Sequence, residues 1–400
     1  MRTRRILFFA EAVTLAHVAR PLAISAGLDA SRFESHFACD PRYRLFAPGA
    51  RWLDLRSIKS AQFLAALAAG KPVYDAATLR GYVRDDLGLI DRVKPDLIVG
   101  DFRLSLSVSA RLVGVPYAAI SNAYWSPWYA RKGYPMPVLP ITRFLPIAVA
   151  EPLFQWARPI AFRCHCAPLN EVRRDHGLPG LGSDLRAVYT DADHVLYADA
   201  ERMFPTVDRP PTHHYLGPII WSPPVAFPEW WARLPSDRPL IYLTLGSSGQ
   251  LAVSRIVMQA LADLPVSVMA STAGVAPGGS TAPPNVWVAD YLPGAAAAAR
   301  AQLVICNGGS PTSHQALAAG VPVLGIASNM DQFLNMQAIV EANAGAVLRA
   351  DRLRPEALRA QTHRLLASPA SRRNAAELTG EHGAAEAPRR FAEFVECVTA

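Results

Sequence analysis

Twice along this 400-residue chain, short and mostly apolar runs alternate with stretches of helical period, and one aperiodic segment separates the two series. Runs of three to six mostly apolar residues bounded by turns read as strands buried on both faces. Their alternation with helices points to a parallel sheet covered by helices. The first series has strands at 5–10, 33–38, 96–100, 117–120 and 195–197, with helices at 16–25, 79–92 and 105–113. The second has strands at 240–245, 266–270, 286–289, 303–306 and 323–326, with helices at 254–262, from Thr312 and from Gln332. Residues 217–239 are rich in Pro and Trp and lack a regular period, so they form the expected hinge. A chain this long exceeds one comfortable core, and two α/β domains follow.

Composition narrows the class. Half the residues are apolar and 18% are charged, which is globular rather than disordered. The five cysteines are too few and irregular for a secreted disulfide framework, and Cys164-His165-Cys166 has no second ligand pair at metal-site spacing, so plain thiols are expected. Basic residues precede the apolar run at 6–10 as in a signal peptide, but Glu11 ends that run too early. No stretch has the roughly twenty uncharged apolar residues of a membrane span, and a cytoplasmic location is expected. Residues 1–217 hold 27 Lys and Arg against 20 Asp and Glu, whereas 218–400 hold 13 of each. All the excess charge lies in the first half, which fits either an Arg-rich composition or attraction to an anionic partner or membrane surface. Nucleic acid is not an expected partner, since no basic run is interleaved with aromatics. Residues 136–168 break the rhythm with recurrent prolines and read as an irregular helical excursion rather than a clean helix. His213-His214 reads as a surface pair.

Ligands of open parallel sheets bind where strands end and helices begin, because backbone N–H groups and the helix dipole converge there. The strongest such place is Asn307-Gly308-Gly309-Ser310-Pro311-Thr312-Ser313, directly after the strand at 303–306. Glycines admit an anion to the backbone, the hydroxyls donate, and Pro311 suits a first helical turn. Alone, this is either a phosphate cradle or a structural turn.

The larger pattern from Tyr291 to Gln332 resembles the donor-binding signature of glycosyltransferase family one. That family carries an aromatic residue sixteen positions before a signature His, an acidic residue eight after it and Asp-Gln starting twenty-four after it. Tyr291, Gln315 and Asp331 stand at those spacings around Asn307. The resemblance implies the GT-B fold, two Rossmann-like doubly wound α/β domains facing across a cleft. It implies an acceptor domain at 1–217, a linker at 218–239, a nucleotide-sugar domain at 240–380, and a C-terminal helix within 381–400 that returns to the first domain. Tyr291 would stack on the base, with the backbone at Leu292 bonding its edge. Gly308, Gly309, Ser310 and Thr312 would receive the diphosphate, joined by Gly246, Ser247 and Ser248 after the strand at 240–245. Asp331 and Gln332 would hold the sugar.

Two positions depart from the family. Asn307 replaces the signature His and brings no positive charge. Gln315 replaces the acidic residue that accepts from both ribose hydroxyls, and a neutral amide suits a sugar with only one. A dTDP-linked donor, such as a 6-deoxysugar like rhamnose, is therefore expected over UDP-glucose.

The resemblance also implies an inverting transfer with a base from the first domain. His17, in Leu15-Ala-His17-Val-Ala-Arg-Pro21, resembles the family's Gly-His-Val-x-Pro base segment, with Ala16 for the usual Gly. Asp101, just past the strand at 96–100, matches its partner acid. Glu11 and Arg103 lie near enough in sequence to take part instead. Neither cofactor nor metal is expected, because helix ends and hydroxyls can stabilise a leaving diphosphate. Asn122, Tyr124, Trp125 and Trp128 are the expected acceptor-binding residues, suited to a large apolar or aromatic alcohol or a lipid. Three other readings stay open: a membrane-surface glycolipid enzyme with peripheral contact at the inner face, a nucleotide-sugar epimerase, and a non-catalytic nucleotide-sugar-binding or partner protein.

Overall fold

The computed structural model describes residues 2–246, 251–274, 282–379 and 385–399. Its contacts divide the chain into two compact units. The first comprises residues up to Gly133, Leu139–Ile219 and the C-terminal helix; the second comprises Tyr134–Val138 and the stretch from Ile220 onward.

Among the described residues of the first unit, parallel strands run in the order β3-β2-β1-β4-β5-β6-β7. They are β1 (Arg4–Ala10), β2 (Phe33–Cys39), β3 (Arg51–Asp54), β4 (Leu97–Asp101), β5 (Tyr117–Ser121), β6 (His194–Tyr197) and β7 (His213–Tyr215). The covering helices are α1 (Ala16–Ser25), α2 (Ser60–Ala69), α3 (Ala76–Val93), α4 (Leu106–Val113), α5 (Ile147–Asp175) and α6 (Leu185–Tyr189). Central strands β1 and β4 are apolar on both faces because helices cover both faces, as their unbroken hydrophobic runs require. Strand order reverses between β1 and β4, which opens a crevice at their carboxyl ends.

The second unit repeats the plan. Strands β8 (Leu240–Thr244), β9 (Ser267–Ser271), β10 (Val286–Ala289), β11 (Leu303–Cys306), β12 (Val323–Ala327) and β13 (Gly345–Arg349) run parallel in the order β10-β9-β8-β11-β12-β13. Its helices are α7 (Leu251–Ala262), α8 (Gly294–Arg300), α9 (Ser310–Ala318), α10 (Met330–Glu341), α11 (Pro355–Leu366) and α12 (Pro369–Thr379). The order reverses between β8 and β11. Residues 134–138 are tied into this unit: the Val138 amide donates to the Ser328 carbonyl at 2.7 Å, and Arg349 donates to the Met136 carbonyl at 2.7 Å. The last helix, α13 (Glu386–Val398), belongs to the first unit, where Phe391 packs on Phe8 with ring centroids 5.8 Å apart.

Two expectations need correction. The segment at 136–168 is not an irregular excursion: its larger part is the continuous 29-residue helix α5, despite Pro152, Pro159 and Pro168. Pro152 and Pro159 stand on the exposed side, where water can bond the carbonyls that lose an N–H partner. His213 is not at the surface. It opens β7, buried, with its Nδ1 2.6 Å from the Tyr197 hydroxyl, because β7 extends the sheet beyond β6. Edge elements β3, β7 and β13 and helix α2 carried too weak a periodic signal to be read in advance.

Candidate active site

The first unit's switch point gathers its ionisable residues. Asp101 is the last residue of β4, and His17 is the second of α1, the helix that follows β1. Asp101 is fully buried, and its Oδ1 lies 2.7 Å from His17 Nδ1. Arg20, one turn along α1, holds the same carboxylate through Nε to Oδ2 at 2.7 Å and Nη2 to Oδ1 at 2.6 Å. A carboxylate already bridged by a guanidinium supplies no proton, so the short contact places the hydrogen on His17 Nδ1. That tautomer leaves Nε2 as the acceptor. The pair can therefore take a proton from a hydroxyl and spread the resulting charge onto Asp101.

Behind Arg20 the network continues inward. Its Nη1 donates to Asn122 Oδ1 at 2.8 Å, and Asn122 Nδ2 donates to buried Asp199 at 2.9 Å. Asn122, expected at the acceptor, thus supports the His17–Asp101 pair from beneath. Arg20 escaped the sequence reading, although its spacing of three from His17 on a helix is the signal for a shared face.

Phe102 was also missed. Its backbone sits in the left-handed region at φ 57°, an unusual conformation for a bulky residue. This turn after β4 lays the Phe102 ring nearly parallel to the His17 imidazole, with centroids 4.8 Å apart. Phe63 and Tyr189 approach Phe102 at 5.9 and 5.4 Å, and Trp125 meets Tyr189 edge-on at 5.1 Å. A half-buried aromatic lining therefore adjoins His17. Trp125 belongs to it. Tyr124 touches Trp125 with ring centroids 6.5 Å apart but is itself buried against Phe204 at 4.9 Å, and Trp128 is exposed.

Glu11 and Arg103, the alternative participants, serve a separate buried cluster. Arg103 donates to Glu11 Oε2 at 2.8 Å and to Asp86 Oδ1 at 3.0 Å, and its guanidinium lies over the Tyr82 ring at 3.5 Å. Burial pushes the Glu11 and Asp86 carboxyls above their ordinary range, although Arg103 opposes the shift in both. One cation serves two fully buried acids, an arrangement that ties the end of β1 to the middle of α3 rather than offering a base to solvent.

In the second unit, the Asn307–Gly309 turn follows β11, and α9 begins at Ser310, two residues earlier than expected. Gly308 has φ 82°, and a Cβ there would lie 2.7 Å from Met336 Cγ, so no larger residue fits without movement. Asn335 on α10 locks the turn by donating to the Gly308 carbonyl and to Ser313 Oγ, both at 2.8 Å. Ser313 in turn bonds the Gly309 carbonyl at 3.0 Å, so its hydroxyl serves the turn rather than a ligand. Asn307 Oδ1 accepts from the Gly309 amide at 3.0 Å, which turns its amide nitrogen toward Gly246, where the nearest approach to an added Cβ is 3.4 Å. Gly246, at φ 66°, follows β8; Ser247 and Ser248 lie outside the described residues. The amino end of α9, with Ser310 and Thr312 in its first turn, is a favourable seat for an anion.

The remaining expected donor residues separate into two kinds. Tyr291 is half-buried, with its hydroxyl 3.2 Å from the Ala273 carbonyl, whereas Leu292 is buried. Gln315 donates to the Trp221 carbonyl, so a carboxylate at this position would face an oxygen with no proton between them. Asp331 stands in the first turn of α10. Gln332, itself buried, closes a capping box: its Oε1 accepts from the amides of Ser328 at 2.8 Å and Asn329 at 3.3 Å.

Comparison with known proteins places this arrangement. Residues 255–398 match the family model of the Erythromycin biosynthesis protein CIII-like C-terminal domain. The chain is 50% identical over 384 residues to a PGL/p-HBAD biosynthesis rhamnosyltransferase of Mycobacterium bovis, covering 96% of this chain and 85% of that protein. The chain belongs to glycosyltransferase family one. A PGL/p-HBAD biosynthesis glycosyltransferase of Mycobacterium tuberculosis is likewise 50% identical, over 96% of this chain and 89% of its own length. Among solved structures, the glycotransferase of kitacinnamycin superposes with a TM-score of 0.70 at 21% identity, covering all of both chains. The glycosyltransferase VinC in complex with dTDP reaches 0.67 at 19% identity, covering 99% of each. These likenesses establish the GT-B fold for this glycosyltransferase, which is an enzyme of sugar transfer. Among its described residues, no helix is long and apolar enough to cross a membrane.

Proposed function

We propose that this glycosyltransferase moves a 6-deoxyhexose, with rhamnose the leading candidate, from a dTDP-linked donor to a hydroxyl of a large aromatic or apolar acceptor, inverting the anomeric carbon without a metal ion. The observation that carries the inverting reading is the 2.7 Å contact between His17 and buried Asp101, which leaves Nε2 as a base. His17 Nε2 takes the acceptor proton as the hydroxyl oxygen bonds the anomeric carbon. The bond from that carbon to the β-phosphate oxygen breaks on the opposite side, and its electron pair leaves with the diphosphate. The amino end of α9 receives the added negative charge, the role a metal plays in other transferases. Phe102, Tyr189 and Trp125 give the acceptor an aromatic surface beside the base.

Two observations favour the donor assignment. The relative at 50% identity is named a rhamnosyltransferase. Gln315, committed through its amide nitrogen to Trp221, offers one acceptor oxygen, which suits a ribose ring bearing one free hydroxyl. Tyr291 stacks on the base, and Asp331 takes the sugar hydroxyls. The test is transfer assayed with dTDP-rhamnose, UDP-rhamnose and UDP-glucose, with and without EDTA, and the product's anomeric configuration read by NMR. Preference for dTDP-rhamnose, an inverted product and insensitivity to EDTA are expected. Retention of configuration, a UDP preference or loss of activity with EDTA would each overturn the corresponding element.

A further inference from the structure

The aperiodic appearance of residues 141–163 conceals a one-sided surface. Along α5, Val149, Leu153, Trp156 and Ile160 recur at intervals of four, three and four, so they share one face within about a third of the helix circumference. That face is uncovered: Trp156 is 76% exposed, Ile160 60%, Val149 49% and Leu153 45%. Phe144, in the turn leading into the helix, is 83% exposed. Scattered apolar residues on a surface need no explanation, but five large ones within seventeen residues form a patch of the kind that marks an interaction site. The contrast with α13 is direct, since its apolar face is buried through Phe391, Phe394 and Val395.

The charges around the stripe specify what it meets. Arg143 precedes it and Arg163 continues it by one turn, both exposed. Among the described residues, neither has a carboxylate partner, whereas Arg80 and Arg173 elsewhere in the unit are paired. Glu151 is the sole acid from 141 to 163, and its carboxylate already accepts from Gln155 at 3.0 Å. Two copies packed antiparallel through this face would set the Arg143 of each against the Arg163 of the other, unpaired. An anionic lipid surface satisfies both features at once: acyl chains take the apolar side chains, phosphates take the arginines, and Trp156 occupies the interface that indoles favour.

We propose that the α5 stripe, with Phe144 at its head, seats this enzyme on an anionic bilayer surface. The inference goes beyond the transfer reaction and stands or falls separately from it, because transfer to a water-soluble acceptor is scored in parallel. The experiment is flotation of the full-length protein with vesicles of phosphatidylcholine alone or mixed with phosphatidylglycerol, at low and high salt. The wild type should float with the mixed vesicles at low salt and be released by high salt. Each basic residue near an anionic leaflet is worth about fivefold in partitioning, so R143Q/R163Q should lower it by roughly thirtyfold. F144S/W156S should fail to float even at low salt while keeping far-UV circular dichroism and transfer to a soluble acceptor. F227S, which alters an exposed aromatic in the second unit, should float like wild type. Wild type that ignores both vesicles, or an F144S/W156S variant that floats unchanged, overturns the proposal. A dimer in sedimentation velocity that F144S/W156S converts to monomer overturns it as well, by giving the face to a second copy.

Discussion

Arg20 and Asp101 form a two-point ion pair, at 2.7 Å and 2.6 Å, and the oxygen that takes the shorter bond is the one His17 also contacts. The position of the imidazole therefore depends on a residue that need not touch either substrate. Replacing Arg20 by Ala should lower kcat on the order of 10²-fold, the cost of misplacing a reacting group by about 1 Å, with the donor KM little changed. R20K should recover part of kcat. Steady-state kinetics of both variants check this, beside thermal melts, because a buried carboxylate stripped of its partner costs about 3–5 kcal/mol in stability. Equal losses in R20A and R20K, or a shift confined to KM, would remove the positioning role. H17A serves as reference, with a loss of about 10²–10⁴-fold expected for a missing general base.

Phe102 carries two opposed demands, a strained backbone and a ring stacked on His17. F102G should relieve the first and F102A should not, so F102G should be more stable than F102A by about 1 kcal/mol in urea unfolding. Both should raise the KM for an aromatic acceptor, because the stacked face is gone. If F102A proves the more stable variant, the left-handed geometry is not what the residue supplies.

Gly308 meets both reasons for a glycine, positive φ and the approach of Met336. G308A should cost about 2 kcal/mol, within the range for a residue forced into a sparsely populated conformation. It should also weaken dTDP binding by calorimetry, since the turn that aims the α9 amino end would shift. Undiminished affinity would separate this turn from the diphosphate.

His213 links stability to acidity. Burial, with the nearby Arg209 guanidinium and His214, depresses its imidazole from 6.5 to about 4. The unfolded chain then takes up a proton that the folded chain refuses. Stability is complete above about 6.5 and declines as pH falls toward about 4. Wild type should lose more of its urea midpoint across that window than H213Q, whose neutral amide does not titrate. Parallel losses in the two proteins would exclude His213 as the source.

Much of the site was legible because its signals are local. The Asn307-Gly-Gly turn needs only a strand, two glycines and a helix start, and these are adjacent in the chain. His17 and Asp101 were found through their resemblance to the family's base segment and partner acid, each following a strand that is itself a local signal. Arg20, Asn335 and Trp221 were not found, because each acts on a residue that the fold brings near: Arg20 on Asp101, Asn335 on Gly308, Trp221 through its carbonyl on Gln315. The α5 helix was misread for another reason. Three prolines forbid a helix by local rule, and two of them escape it by facing water.

By itself the sequence determined two α/β series, the aperiodic segment between them and the glycine turn after the strand at 303–306. Those follow from periodicity and from backbone conformations only certain residues adopt. Tertiary structure decided which polar atoms remain available. It drew Gln332 into a capping box, Ser313 into a turn and Asn122 beneath Arg20, and it set Phe102 against His17. A hydrogen bond is spent on whichever partner lies within about 3 Å, and that distance exists only once the chain is folded.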